Sequence, residues 1–237
     1  AMVRYTRGFA AGEDDPPWYC VVCDTFLPME AMAQEHRHKT RRGFRDCTVE
    51  PVDASLIVKS GYDIYISAFA RYRGAPVPES RVVFVHQAEV AGRYSDIVEY
   101  WGVFHEGALV GFAINFVFGD EEVNYSTGKM APEGLACYGT YALMYSMGEH
   151  YLTGDHRCRY ANAGFRSVFH QTNVQSFLMT NFGFRKQSCP LTLYYRPWLA
   201  MALRLSQPVK QIVCRFVPQS RPLFVLDDAR ARDNGAR

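Results

Sequence analysis

The stretch EYWGVFHEGALVGFAINFVFGDEEVNYST, residues 99–127, decides the fold that the sequence predicts. It contains three runs rich in aromatic and β-branched residues, at 99–104, 109–118 and 121–127, separated by short turns that each contain Gly. Runs of this length between such turns are typical of antiparallel strands joined as hairpins. The stretch therefore predicts an antiparallel meander of three strands.

The residues after this meander alternate between helical and extended patterns. Apolar spacing predicts a helix over 137–152, a strand over 157–161, a helix that begins near Thr172, and a strand over 184–195. A helix between two strands returns the chain to a parallel neighbour by a right-handed crossover. The order β-β-β-α-β-α-β therefore predicts an α/β fold in which helices flank a mixed central sheet.

The residues before the meander predict a smaller set of elements. Helical spacing covers residues 29–45 and residues 54–73, the latter interrupted near Ser60-Gly61, and a strand lies between them at 48–52. The predicted division of the chain is an irregular segment (1–17), one domain (18–225) with a front half (18–98), a core (99–196) and a C-terminal extension (197–225), and a frayed tail (226–237).

Composition sets broad limits on the class of protein. The 237 residues are 48% hydrophobic, which suits one domain of generous size, and the net charge of +2 does not by itself favour nucleic acid. Seven cysteines without regular spacing indicate free thiols in a reducing compartment. The sequence shows no apolar run of membrane-spanning length and no signal-peptide pattern, so we expect a cytoplasmic protein without a membrane span.

Three common catalytic or nucleotide-binding motifs are missing from the sequence. It contains neither a P-loop, nor a G-x-S-x-G elbow, nor a dinucleotide-binding G-x-G-x-x-G. These absences argue against P-loop kinases, hydrolases of the elbow type and Rossmann oxidoreductases.

One set of residues resembles a zinc-binding motif. Cys20 and Cys23 are spaced as C-x-x-C, but His36 and His38 are only two residues apart, whereas zinc-finger histidines are separated by three to five residues. Cys20 and Cys23 also fit a buried strand, which is the favoured interpretation. The sequence therefore predicts no metal site at these residues. A zinc-dependent nucleic-acid module is a further alternative, and it would require bound zinc.

A basic cluster occupies the second half of the first predicted helix. Residues 36–45 contain five Lys or Arg side chains, two His and Phe44. Such a cluster is either a solvated helix face or a phosphate-binding surface, whose contacts would be salt-sensitive. The sequence leaves both interpretations open.

The segment around His170 contains more polar residues than a helix start requires. Thr172 and Gln175 fit a capping box, in which the two side chains satisfy backbone N–H groups of the first turn. The box explains neither His170 nor Asn173. His170 is therefore either a general base at the mouth of the sheet or a histidine satisfied by nearby backbone.

The third strand of the meander carries polar residues on alternating positions. The alternation predicts one face formed by Glu122, Asn124 and Ser126 and another formed by Val123, Tyr125 and Thr127. Glu122 is either a base that activates an amine, directly or through water, or part of a solvated turn together with Glu121.

These motifs together resemble two related families. The strand and helix order, closed by NVQSFLMTNFGF at residues 173–184, resembles the GNAT-fold acyltransferases over about residues 99–196. The front half resembles FemAB-type proteins, in which a strand that begins with Trp precedes a basic helix; Trp18 and the run KTRRGFR at 39–45 match these features. The chain also resembles an uncharacterised bacterial GNAT/FemAB-like group, in Arg166, His170, Thr172, Asn173 and the run FGFRK at 182–186.

The resemblance implies a GNAT-like (acyl-CoA N-acyltransferase) fold and transfer of an acyl or aminoacyl group to an amine on a small molecule or peptide. It implies no tightly bound cofactor, and a donor that is either a CoA thioester or an aminoacyl-tRNA, with tRNA as a possible partner. In CoA-using relatives the start of the first crossover helix binds pyrophosphate. The matching positions here are Gly134, Tyr138, Gly139 and Thr140.

The sequence departs from the GNAT pattern at two places. The glycine-rich signature of the CoA-using family is absent, and Met179 or Thr180 stands where that family commonly has a Tyr acid. Both departures fit FemAB-type enzymes better, although those normally carry two GNAT-like domains. A non-catalytic GNAT-like binding or adaptor module is the alternative, since loss of chemistry would leave the same two departures.

The acyl-transfer hypothesis assigns roles to the candidate site residues. Catalysis is assigned to Glu122 or His170, with the acyl carbonyl polarised by backbone N–H groups. The assigned substrate-binding residues are Asn124, Tyr125, Ser126, Arg166 and Asn173. The assigned phosphate contacts are Lys39, Arg41, Arg42 and Arg45.

Overall fold

The computed structural model describes residues 2–6, 8–9, 16–71, 77–154, 158–168 and 173–235. The strands are β1 (Met2–Thr6), β2 (Tyr19–Cys23), β3 (Thr48–Val52), β4 (Val98–His105), β5 (Ala108–Phe118), β6 (Glu122–Met130), β7 (Tyr160–Phe165), β8 (Arg185–Ser188) and β9 (Leu191–Tyr195). The α-helices are α1 (Gln34–Asp46), α2 (Ala54–Phe69), α3 (Arg81–Ala91), α4 (Pro132–Ala136), α5 (Gly139–Leu152), α6 (Val174–Asn181), α7 (Pro197–Ser206), α8 (Lys210–Phe216) and α9 (Arg221–Gly235). None of the helices in these ranges has the length and apolar character needed to cross a membrane.

A seven-stranded sheet forms the centre of the fold, with the strand order β3-β4-β5-β6-β7-β2-β8. Strands β3 to β6 pair antiparallel in succession, as the meander predicts, whereas β6 and β7 pair parallel. The crossover between β6 and β7 runs through α5, which confirms the predicted α/β fold with a mixed sheet and flanking helices. A separate antiparallel pair is formed by β1 and β9.

Several helices and strands differ from the predicted ones. The predicted strand over 184–195 is two strands, β8 and β9, separated at Pro190, which has no N–H to donate to a β-ladder. The predicted break in α2 does not occur, and the helix continues through Gly61. The crossover helix begins only at Gly139, because Tyr138 adopts a left-handed conformation with φ of 59°.

Two described segments near the chain ends form a strand and a helix that the sequence does not predict. The segment predicted to be irregular contains β1, which pairs with β9. The tail predicted to be frayed belongs to α9, whose Phe224, Leu226 and Ala229 are buried. A short exposed strand and a charged helix carry little local signal, so tertiary pairing decides both.

The chain divides into two compact units. The larger contains residues 22–164 and 174–184, and the smaller contains residues 1–21, 165–173 and 185–237. The predicted domain boundaries stay a prediction.

One face of the larger unit's sheet is covered by α2 and α3. Ile57, Phe84, Tyr100 and Phe112 form the buried centre of this layer. Gly61 allows the close packing, because a Cβ there would lie 3.2 Å from the Phe84 ring. The layer supports β4 and β5 from one side of the sheet.

The opposite face is covered by α5 and contains a buried polar group. The hydroxyl of Tyr151 donates to Glu99 at 2.6 Å and accepts from the Trp101 indole nitrogen at 2.8 Å. The Asn115 amide also donates to this hydroxyl, at 3.3 Å. Burial, followed by the bond to Glu99, raises the pKa of Tyr151 above its usual range, so this hydroxyl stays neutral.

Helix α1 packs directly on the first turns of α5. A Cβ at Gly43 would lie 2.6 Å from the Tyr138 carbonyl oxygen and 3.1 Å from the Ala142 side chain. The ring of Phe44 meets the ring of Tyr145 edge-on at 5.6 Å. The two helices can approach this closely only because position 43 has no side chain.

We predict that Gly43→Ala destabilises the protein. Alanine gains about 1 kcal/mol of helix propensity, but a clash with a backbone oxygen costs about 1–3 kcal/mol, so we expect a net loss in the free energy of unfolding. Urea denaturation measures this change. Gly148→Ala is the matched control, because a Cβ there lies 3.5 Å from Phe26, an ordinary contact. Equal or higher stability of the Gly43 variant would contradict the close packing.

Candidate functional site

A β-bulge in β6 changes which side chains share a face of the sheet. The pairing with β5 shifts between Ile114, which faces Thr127, and Asn115, which faces Tyr125, so Ser126 is the extra residue. Thr127 therefore lies on the face of Asn124 rather than on that of Tyr125, and the predicted strict alternation is wrong from Ser126 onward. Bulges of this kind bend a strand and interrupt its ladder.

The parallel pairing of β6 with β7 is short. It joins Glu122, Val123 and Asn124 to Tyr160, Ala161 and Asn162 in that order. Strand β6 continues to Met130, but within the described ranges none of its later residues pairs with β7. The sheet therefore has an opening between β6 and β7 that begins just after Asn124.

Glu122 lies at the closed end of this opening. The Tyr160 hydroxyl donates to one of its carboxylate oxygens at 2.7 Å, and the Asn162 amide donates to the other at 2.9 Å. The side-chain Oδ1 of Asn162 in turn accepts from the backbone N–H of Gly164 at 2.8 Å. This chain of hydrogen bonds fixes the orientation of the Glu122 carboxylate.

Sequence reasoning missed Tyr160 and Asn162. The strand predicted over 157–161 ended before Asn162, and β7 extends to Phe165. Tyr160 and Asn162 alternate along one face of β7, which is the only local signal that could have selected them.

The other predicted residues of β6 have different surroundings. Tyr125 lies on the α5 face, with its ring 6.3 Å from that of Tyr151 and 5.9 Å from that of Phe184. Its hydroxyl is buried and has no hydrogen-bond partner among the residues that the structure describes, and burial raises the pKa of Tyr125 well above the usual range. Asn124 is partly buried on the Glu122 face, and Ser126 is exposed at the bulge. The structure thus brings Asn124, but not Tyr125, to the side of Glu122.

Two groups that the sequence predicted separately meet in one surface pocket of about 500 Å³. Lys39 and Arg41 of the basic helix line it, and so does Tyr138, which precedes α5. The Arg42 guanidinium stacks over the Tyr138 ring at 5.0 Å, next to the same pocket. The remaining lining residues are Gln34, Glu35, Arg37 and His38.

Charge is distributed unevenly in this pocket. Glu35 binds Lys39, and this contact raises the pKa of Lys39 and lowers the pKa of Glu35. The ammonium group of Lys39 also lies 5.7 Å from the centre of the Tyr141 ring. The pocket therefore contains more cationic than anionic side chains, which suits a phosphate group.

Arg45 is not part of the pocket. Its guanidinium binds both carboxylate oxygens of the adjacent Asp46, at 2.7 and 3.1 Å, and thereby lowers the pKa of Asp46. It lines a second, smaller cleft of about 350 Å³ beside Glu50 and Glu106. Three of the four predicted phosphate contacts are thus close together, and the fourth is elsewhere.

The predicted glycines at the crossover have a packing role. A Cβ at Gly134 would lie 2.5 Å from the Met130 sulfur, and one at Gly139 would lie 2.9 Å from the Gly134 carbonyl. Thr140 begins the first turn of α5, and its hydroxyl is buried with no hydrogen-bond partner within the described ranges. These residues shape the turn that presents Tyr138 to the pocket.

Of the remaining predicted residues, Arg166 and Asn173 belong to the smaller unit and Gln175 belongs to the larger one. The Arg166 side chain donates to the Pro17 carbonyl at 2.7 Å, and its backbone N–H donates to the Tyr19 carbonyl at 2.8 Å. Asn173 is exposed immediately before α6. His170 and Thr172 lie outside the described residues, so the catalytic role of His170 and the capping box stay predictions. Gln175 donates to the Ala163 and Gly164 carbonyls.

Metal-ligating side chains gather at a different place from the predicted one. The Cys20 and Cys23 thiols contact backbone carbonyls, of Gln187 at 3.8 Å and of Phe182 at 3.6 Å. In the part of the chain that the structure describes, ligand atoms gather within 4.8 Å of one another at Cys47, His105 and Cys137.

Comparison with solved structures identifies folds similar to this one. FemX superimposes with a TM-score of 0.57 and 12% identity, covering 89% of this chain and 68% of that one. The C-terminal domain of a putative lysylphosphatidylglycerol synthetase from Agrobacterium fabrum gives a TM-score of 0.51 and 12% identity, covering 90% of this chain and 66% of that one. A putative acetyltransferase of the GNAT family from Novosphingobium aromaticivorans matches at a TM-score of only 0.37.

These comparisons support the GNAT-like fold and nothing finer. At 12% identity a structural likeness concerns the fold alone, and this chain spans about two thirds of the length of the first two structures. No protein-family model and no curated protein sequence matches the chain.

Proposed function

We propose that this protein transfers an acyl or aminoacyl group from a phosphate-bearing donor to an amine. The donor is a CoA thioester or an aminoacyl-tRNA, and the acceptor is a small molecule or a peptide. One observation carries the proposal: the basic face of α1 and the residue before the crossover helix line the same pocket, in a GNAT-like fold whose sheet opens just after Asn124, two residues from Glu122. The resemblance of the fold to FemX and to the synthetase domain supports it.

The pocket on α1 suits the phosphates of the donor. Lys39 and Arg41 are partly or fully exposed side chains with several N–H donors, and Arg42 is held over Tyr138. Arg and Lys bind phosphate through charge-assisted hydrogen bonds, which are stronger than neutral ones. The Tyr138 ring adds a flat surface on which a base could stack.

The distance between pocket and carboxylate limits the shape of the donor. The pocket adjoins the turn after Met130, whereas Glu122 is at the other end of β6, about 26 Å away along the strand at 3.3 Å per residue. The donor must therefore carry its acyl group on a long arm away from its phosphates. A thioester on a pantetheine arm and an aminoacylated RNA end both meet this requirement.

Glu122 is the proposed base, and His170 is the alternative. Each carboxylate oxygen has two lone pairs, so each can accept a proton while it accepts from Tyr160 or Asn162. The amine nitrogen attacks the acyl carbonyl, the new C–N bond forms, and the carboxylate takes the amine proton. The C–S or C–O bond to the donor then breaks, and the same proton passes to the thiolate or ribose oxygen that leaves.

We predict that Lys39→Ala and Arg41→Ala each weaken donor binding about tenfold, because each removes a charge-assisted hydrogen bond to phosphate. Binding of CoA and of aminoacyl-tRNA, measured by thermal shift and titration at two salt concentrations, tests this and identifies the donor. Lys59→Ala, an exposed lysine on α2, is the matched control. Unchanged affinity and salt dependence in both variants would place the donor elsewhere.

We predict that Glu122→Gln lowers the transfer rate by about 10²–10⁴-fold, because the amide keeps the shape of the side chain but cannot take a proton at neutral pH. The rate of deacylation of the bound donor, with a panel of amines, measures this. Glu121→Gln is the control, since Glu121 is exposed and its contact is an ion pair with Arg159 at 3.1 Å. Equal rates in the two variants would remove Glu122 from the mechanism.

A non-catalytic binding or adaptor module remains the second candidate. The buried, packing role of Gly134 and Gly139 favours it, because these glycines shape the turn without forming the signature of CoA-using relatives. Donor binding at the pocket without transfer to any amine would support this candidate over the enzyme.

A further inference from the structure

A compact group of two thiols and one imidazole lies on the larger unit, apart from Glu122. The sulfurs of Cys47 and Cys137 are 2.8 Å apart, and one ring nitrogen of His105 lies within 4.8 Å of both. Both cysteines are buried and His105 is partly buried. The three residues come from three segments: the end of α1, the end of β4 and the turn before Tyr138.

The hydrogen bond of His105 determines which nitrogen is available. Its Nδ1 lies 2.6 Å from the backbone carbonyl oxygen of Asp46. A carbonyl oxygen can only accept, so Nδ1 carries the proton and the neutral ring has its lone pair on Nε2. Metal-binding histidines are usually oriented in this way, by donating their other N–H to a carbonyl or carboxylate.

The arrangement of the imidazole favours a bound cation over a disulfide. The sulfurs, 2.8 Å apart, are not joined, and in a tetrahedral zinc site with Zn–S bonds of about 2.3 Å they would move to about 3.8 Å apart. A disulfide, with sulfurs about 2.05 Å apart, would leave the oriented imidazole without a role.

We propose that Cys47, His105 and Cys137 bind one zinc ion. Zinc prefers thiolate and imidazole ligands in tetrahedral geometry, and a water molecule or a nearby backbone carbonyl would complete the set of four. The Gly134 carbonyl, 3.3 Å from the Cys137 sulfur, is one such group. The ion would join the end of α1 to the turn before α5. The proposal rests on these residues and does not depend on the transfer reaction.

The experiment measures bound metal in the intact chain. We expect protein purified under reducing conditions, loaded with Zn²⁺ and freed of excess ion, to retain about one zinc per chain by elemental analysis. Cobalt(II) should replace it and give thiolate-to-cobalt charge-transfer absorption. Cys47→Ser, Cys137→Ser and His105→Ala should each lower the affinity for Zn²⁺ at least about tenfold.

Two controls keep the result interpretable. Cys214→Ser changes a cysteine outside the group, and His86→Ala changes an exposed histidine on α3, so both should retain the metal. Circular dichroism shows whether each variant folds. If the cysteine variants do not fold, His105→Ala still tests the proposal. If the folded wild-type protein retains no metal, the proposal is overturned. This holds whether the two thiols are free or joined as a disulfide, which mass spectrometry would show as a loss of two mass units.

A second and independent observation concerns the surface of α7 and α8 in the smaller unit. Trp198, Met201 and Leu205 are three and four residues apart and share one face of α7, with 60%, 63% and 73% of their surfaces exposed. Ile212 and Phe216 share one face of α8, and Phe216 is 78% exposed. Large apolar side chains exposed together on helices mark a binding surface.

The segment that forms these helices carries charges of one sign, and the acidic Asp227 and Asp228 beside it belong to α9. Residues 196–221 contain five basic side chains and no acidic one. Arg196, Arg204, Arg215 and Arg221 are exposed, whereas Lys210 is paired with Asp228 on α9. A helix surface with exposed Trp, Leu and Phe beside exposed Arg is typical of segments that lie at the surface of an anionic membrane.

We infer that the exposed apolar faces of α7 and α8 bind the headgroup region of anionic phospholipid bilayers. The apolar side chains would enter the boundary between headgroups and acyl chains, and the arginines would contact lipid phosphates. The helices would lie along the bilayer surface and would not cross it.

Sedimentation with vesicles tests this inference. We expect binding to phosphatidylglycerol-containing vesicles, weakened by salt, and little binding to pure phosphatidylcholine vesicles. Leu205→Glu and Phe216→Glu should each reduce binding about tenfold or more. Val82→Glu, at an exposed valine on α3, is the matched control and should bind normally. Equal binding to both kinds of vesicle, or self-association of the protein without vesicle binding, would overturn the inference.

Discussion

The close approach of α1 to the start of α5 is the constraint on which the candidate donor pocket depends. Gly43 lies against the Tyr138 carbonyl, and this contact places the cationic side chains of α1 next to the first turn of the crossover helix. A basic helix elsewhere on the surface would be a solvated face. At this position it provides several cations beside a helix N-terminus, where the backbone N–H groups also favour anions.

A second constraint acts on the sheet itself. Three residue pairs join β6 to β7, and the bulge at Ser126 then changes the direction of β6. Asn124 lies where the paired region meets the opening, and Glu122 lies two residues before it, with its carboxylate oriented by Tyr160 and Asn162 on β7. The pocket and this carboxylate lie at opposite ends of β6, so any common substrate must be long.

The cysteine group connects to the same architecture. Cys47 follows α1 directly, and Cys137 precedes Tyr138 directly, so a cation held there would fix both sides of the pocket. The apolar surface of α7 and α8 belongs to the other unit and depends on neither feature. Each of these regions can therefore be tested without reference to the others.

Most of the fold could be predicted from the sequence, because periodicity and turn residues are local signals. The meander, the crossover helix and the mixed sheet follow from alternating and helical apolar spacing and from Gly-containing turns. The basic character of α1 and the candidate glutamate were also visible. Local signals did not indicate the bulge at Ser126 or the strand β1, because partner strands determine both.

By itself the sequence determined the types and order of the central helices and strands, and the residue types available for phosphate contact and proton transfer. Only the tertiary structure decided which of them meet. Glu122 and Tyr160 are 38 residues apart, and Cys47 and Cys137 are 90 apart. No local pattern encodes such contacts, because they arise when separate elements pack around one sheet.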